Sequence, residues 1–154
     1  MLNSAANSAD QIELNPPDFL IGPSIARTAT GNTYSYRAKE LGGRVALHIT
    51  FVAIPPSLAA PAPKICADAF LAELAKRGDN PFTQRDTRAL IVGPFALDSW
   101  RWTQNTTQGG MLTGVVGCGL HQRQFIAVTF EDTVQHASTS FPPLRASLAT
   151  LRLQ

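Results

Sequence analysis

Residues 114–130 read GVVGCGLHQRQFIAVTF. Two apolar runs flank His121-Gln122-Arg123, the pattern of two strands joined by a tight turn. Cys118 sits three residues before His121, so a catalytic Cys/His pair is the competing reading. Residues three apart on a strand point to opposite faces. If His121 is instead in the turn, it lies at the end of the sheet, beyond a mid-strand thiol. Cys118 shares its face with Leu112, Val116 and Leu120, and apolar surroundings raise a thiol's pKa and blunt it as a nucleophile. The stretch therefore reads as a hairpin of MLTGVVGCGL and QFIAVTFED. Its glycines at 114, 117 and 119 mark bulges or the close approach of another element.

Upstream, RVALHITFVAI (44–54) is the clearest strand. Val45, Leu47, Ile49, Phe51 and Ala53 alternate with Arg44, Ala46, His48, Thr50 and Val52. Before it, FLIGPSIARTAT (19–30) and NTYSYRAKEL are extended pieces separated by the turn signals Gly31-Asn32 and Gly42-Gly43. Tyr34, Tyr36 and Ala38 share a face. After a proline-rich linker, Pro63 suits the first turn of a helix. PKICADAFLAELAKRG then places Cys66, Phe70 and Leu74 on one stripe, and Gly78 closes it. TRALIVG (87–93) reads as a largely buried strand. ALDSWRWTQ (96–104) alternates, with Trp100 and Trp102 opposite Ser99, Arg101 and Thr103. PPLRASLATLRLQ (142–154) reads as a short helix led by Pro142-Pro143, then a terminal strand.

These elements predict one α+β domain over 18–154, behind a flexible tail at 1–17. An antiparallel sheet of about six to seven strands carries one main helix near 62–77 and a short C-terminal helix. The element order resembles the Mog1/PsbP-like fold, which includes the DcrB-like bacterial proteins. The likeness covers about residues 18–153 and rests on order: a meander, a Pro-led helix, a long hairpin run ending in FIAVTFED, then FPPLRASLATL and a final Leu-Arg-Leu. It implies a sandwich fold. It also implies a small exported protein or lipoprotein, or a cytoplasmic chaperone for secreted toxins, rather than an enzyme. It carries over no catalytic residues.

Composition narrows the functions further. The chain has 154 residues with 13 basic and 11 acidic, a net charge of +2. That balance, with no basic run longer than Lys76-Arg77, argues against a dedicated nucleic-acid binder. No apolar stretch approaches the length needed to span a bilayer. The lead MLNSAANSADQ lacks a charged n-region and an apolar h-region; it resembles the spacer left behind a cleaved secretion or lipoprotein signal. Two cysteines are too few for a structural zinc site but suffice for one bridge in an exported domain. Cys66 lies on the helix stripe and Cys118 on an apolar strand face, so a helix packed there could join them, adding roughly 3–4 kcal/mol. Two buried free thiols remain the alternative.

His48, His121 and His136 show no metal-ligand spacing, and no metal or cofactor is expected. Asp98, Glu131 and Asp132 are carboxylates without a fixed partner, and Glu131-Asp132 ends a strand. Asn105-Thr106-Thr107 matches a glycosylation sequon, discounted because the resemblance implies a bacterial chain. Tyr34, Tyr36, Trp100 and Trp102, with Arg101, are the candidate partner surface if one sheet face is incompletely covered; the competing reading puts the tryptophans in the core.

Three functions follow. The first is a non-enzymatic, exported binding or accessory protein, periplasmic or tethered by a lipid attached upstream, whose partner is another protein or an envelope component. The second is a cytoplasmic chaperone or immunity-type protein of toxin secretion. It predicts a homodimer, reduced cysteines and an exposed apolar groove. The third is a small hydrolase using His48 or His121 with a carboxylate, for which nothing else in the sequence speaks.

Overall fold

A computed structural model describes residues 12–153. The main sheet is antiparallel and eight-stranded. Its strands are β2 (Leu20–Arg27), β3 (Gly31–Ala38), β4 (Ala46–Ala53), β5 (Phe82–Arg85), β6 (Leu90–Val92), β7 (Phe95–Asn105), β8 (Met111–His121) and β9 (Gln124–Thr133). Their spatial order is β2-β3-β4-β9-β8-β7-β5, with β6 also pairing β7. Two further strands, β1 (Ile12–Glu13) and β10 (Arg152–Leu153), pair with each other. Helix α1 (Pro63–Leu74), extended by a 3₁₀ turn at Ala75–Arg77, and helix α2 (Val134–Ala149) complete the chain. This is the α+β layering that the hairpin run predicts.

The opening stretch is the hairpin β8–β9, in register from Leu112↔Thr133 to His121↔Gln124. Its turn residues Gln122 and Arg123 both have positive φ, 50° and 66°. That is the conformation of a two-residue loop whose twist matches the flanking strands. The Arg123 guanidinium donates to the carbonyls of Pro55 and Leu58, so the turn also pins the proline-rich linker.

Alternation on β8 separates two cores. Val115 faces the larger one, with Leu47, Ile49, Phe51, Ile126, Val128 and Phe130 under Leu144 and Leu148 of α2. Val116 and Cys118 face the other side, with Trp100, Phe125 and Ala67 of α1. The two helices therefore lie on opposite faces of the sheet, in three layers. Gly114 illustrates why β8 is glycine-rich: a Cβ there would lie 2.5 Å from the Trp102 indole and from the Phe130 carbonyl. The indole occupies the space that a side chain would need.

Three sequence expectations are corrected. The C-terminal helix begins at Val134, eight residues before Pro142-Pro143, which lie inside it. Two prolines remove two helical N–H donors, yet the helix continues because Ala137, Ser140, Leu144, Ser147 and Leu148 are seated on the sheet. Strand β5, FTQR, was not anticipated; all four of its side chains are exposed, so neither face carries apolar alternation. TRALIVG supplies only the three-residue β6. Of the tail expected over 1–17, residues 12–17 are described. Ile12 and Leu14 pack against the main core, and Ser147 Oγ donates to the Asn15 carbonyl. Residues 1–11 of that expectation lie outside the described residues.

Candidate functional site

Cys66 and Cys118 form a disulfide, with 6.4 Å between their Cα atoms. The α1 stripe delivers Cys66, and the α1-facing side of β8 delivers Cys118, which is wholly buried. Phe70, further along the stripe, meets the Trp102 ring at 6.3 Å. Neither sulfur is a thiol, so the Cys118–His121 pair has no nucleophile. His121 stands at the end of β8, its ring 5.0 Å from that of Phe95.

The four candidate partner aromatics are core residues. Tyr34 and Tyr36 are 2% exposed, Trp102 1% and Trp100 8%. Tyr34 meets Phe51 edge-on in the α2-side core. Burial, with Tyr34 nearby, holds the Tyr36 phenol above its usual pKa. Trp100 and Trp102 lie on the α1 side, covered by the helix. The sheet buries the faces that carry these aromatics, so they offer no ring platform. Arg101 alone of the five candidates is exposed, on the opposite side of β7 from the tryptophans.

The carboxylates are occupied. Glu131 accepts from Arg77 at 2.8 Å. The buried Asp132 accepts from Ser140 Oγ and from the Thr133 backbone N–H, both at 2.7 Å, and so holds the start of α2. Of the histidines, His48 Nδ1 meets Ser35 Oγ at 2.9 Å across the β3–β4 pair, and His136 Nδ1 meets Thr133 Oγ1 at 2.9 Å. Desolvation by neighbouring groups is the main cause that holds the His48 pKa below its usual value. Glu131 works against this and Arg77 with it. Among the described residues, no three His, Cys, Asp or Glu side chains converge as metal ligands would.

A charged corner lies at the outer edge of β7, where β5 hands over to β6. Arg85, Asp86, Thr87, Arg88, Ala89 and Asp98 line a cleft of about 440 Å³ there. Arg85 approaches Asp98 at 3.5 Å; Arg101 and Arg145 approach the same Asp86 carboxylate at 3.6 and 3.9 Å. Sequence reading missed all of this except Arg101 and Asp98. The one local signal was the run QRDTR (84–88), charged and without apolar periodicity.

No family model matches the chain, and no curated protein matches it. Among solved structures, the chain is similar to the crystal structure of LpqN, involved in cell envelope biogenesis of Mycobacterium tuberculosis. The TM-score is 0.53 and the identity 12%, over 93% of this chain and 83% of that one. At that identity the likeness is one of fold. No helix among the described residues is long and apolar enough to cross a membrane.

Proposed function

We propose that this chain is a non-enzymatic accessory or binding protein of the bacterial envelope, exported and folded in oxidised form. The Cys66–Cys118 bridge carries the reading, because disulfides persist in exported proteins and are rare in the reducing cytosol. The LpqN-like fold supports it, since that protein is described as acting in cell envelope biogenesis. The resemblance of the element order to the Mog1/PsbP-like fold fits this reading and the chaperone alternative equally. The occupied carboxylates and the oxidised sulfurs favour binding over catalysis. The cytoplasmic chaperone alternative expects reduced cysteines, and the bridge weighs against it.

The test is fractionation of the source bacterium after acid quenching and thiol alkylation, with the chain followed by an antibody. The expected outcome is the chain in the exported or envelope fraction with neither cysteine alkylated before reduction. A cytosolic chain with both cysteines alkylated would overturn the proposal.

A further inference from the structure

We infer that the β5–β6 edge, with its arginines, is a docking surface for an extended acidic segment of a partner protein. This deepens the binding reading above and rests on it, but not on the compartment. Strand β5 ends the main sheet, so one side of its backbone has no partner strand among the described residues. Such an edge is a ready template for an added strand.

Register places charge on both faces of that edge. Arg85 pairs across to Trp100 and shares its face with Asp98, on the α1 side. Gln84 pairs with Arg101, on the α2 side, where Arg145 also arrives. Phe82 pairs with Thr103 on the Arg101 side and is 74% exposed. An added strand would thus meet guanidinium groups whichever way its side chains alternate, plus one apolar contact.

The arginines are poised and incompletely satisfied. Arg85 lies over the Trp100 ring at 5.7 Å and Arg145 over the Phe130 ring at 5.5 Å, contacts that limit their freedom in advance. Their approaches to Asp86 and Asp98, at 3.5 Å and beyond, are ion pairs looser than good hydrogen bonds. Arg88 has no carboxylate within ion-pair distance among the described residues. Four arginines against two aspartates leave a local surplus of positive charge. The chain's own carboxylates show the chemistry the corner accepts, and the guanidinium fork suits a second set. The open strand edge favours a peptide over nucleic acid or a lipid surface.

The test titrates purified, oxidised chain with a labelled, end-blocked octapeptide of paired glutamates separated by threonines, at low salt. Binding should saturate, and amide exchange should slow at Phe82–Arg85. Replacing Arg85→Ala with Arg88→Ala, both on the surface, should weaken it about fivefold, as expected for two exposed charge pairs. High salt should weaken it similarly. Arg152→Ala, at the β1–β10 pair, should change nothing. The proposal is overturned if the peptide does not saturate, if the Arg152→Ala loss equals that of the double variant, or if β5 amides are unprotected. It is also overturned if phosphatidylglycerol vesicles or duplex DNA bind more tightly than the peptide through the same arginines. Failure here with the chain still exported would reject this surface alone; a cytosolic chain would reject the envelope reading alone.

Discussion

Helices α1 and α2 sit on opposite faces of the same sheet and are held by different means. Helix α2 seats five residues fully, among them Leu144 and Leu148. Helix α1 seats only Ala67 and Leu74 fully, leaves Ile65 exposed, and is joined to β8 through Cys66–Cys118. Burying a leucine contributes about 1.5–3 kcal/mol; α2 buries two, Leu144 and Leu148, beside Ala137 and two serines, and α1 buries one, Leu74, beside Ala67. Where apolar anchorage is thin, the chain uses a covalent link. The expected consequence is that reduction loosens the α1 layer before the α2 layer.

The comparison can be broken at its strong side first. Leu148→Ala should cost about 3–4 kcal/mol in urea unfolding, because Leu148 is wholly buried between α2 and the sheet. A loss below about 1 kcal/mol would mean that α2 is not the anchor. Next, Cys66→Ala with Cys118→Ala should cost about 3 kcal/mol, and α1 amides should lose exchange protection before those of α2. Simultaneous loss would make the two helices one cooperative unit. Gly114→Ala should cost about 2 kcal/mol by overpacking against Trp102, with a changed near-ultraviolet circular dichroism signal. An unchanged signal would mean that the indole stays in place and the Phe130 backbone gives way instead.

The smallest effect belongs to His48, on the sheet side that α1 leaves open. Its folded pKa is depressed, so the unfolded chain takes up the proton first as pH falls. The stability it contributes is present above the unfolded pKa, near 6.5, and is lost as pH falls through the folded value. His48→Gln should flatten this part of the stability profile, measured by thermal unfolding across the range. The groups facing the imidazole are Ser35, Glu131 and Arg77, so Glu131→Gln should lower its pKa further. A rise would reverse the assigned sign.

Much of this was legible in the sequence, where apolar period and turn residues coincide. The β3–β4 alternation, the β8–β9 hairpin and the Cys66 stripe all follow from side-chain direction on regular elements. Strand β5 was not legible because FTQR buries nothing, and only its pairing with β7 makes it a strand. The start of α2 was hidden because VQHASTS is polar and β-branched at its head while a proline pair suggested a later beginning. The aromatic faces were read correctly as shared faces, but which face would be covered depends on helix placement. The arginine corner joins residues 85, 88, 101 and 145, and no local pattern announces a meeting of such distant positions.

The β1–β10 pair sets Ile12 against Leu153. Topologically, residues 12–153 are almost a closed ring. Residues 12 and 153 thus lie at one shared patch of the surface. The same ring could be sealed there and reopened at the exposed Gly109-Gly110 turn, leaving every strand with its present neighbours.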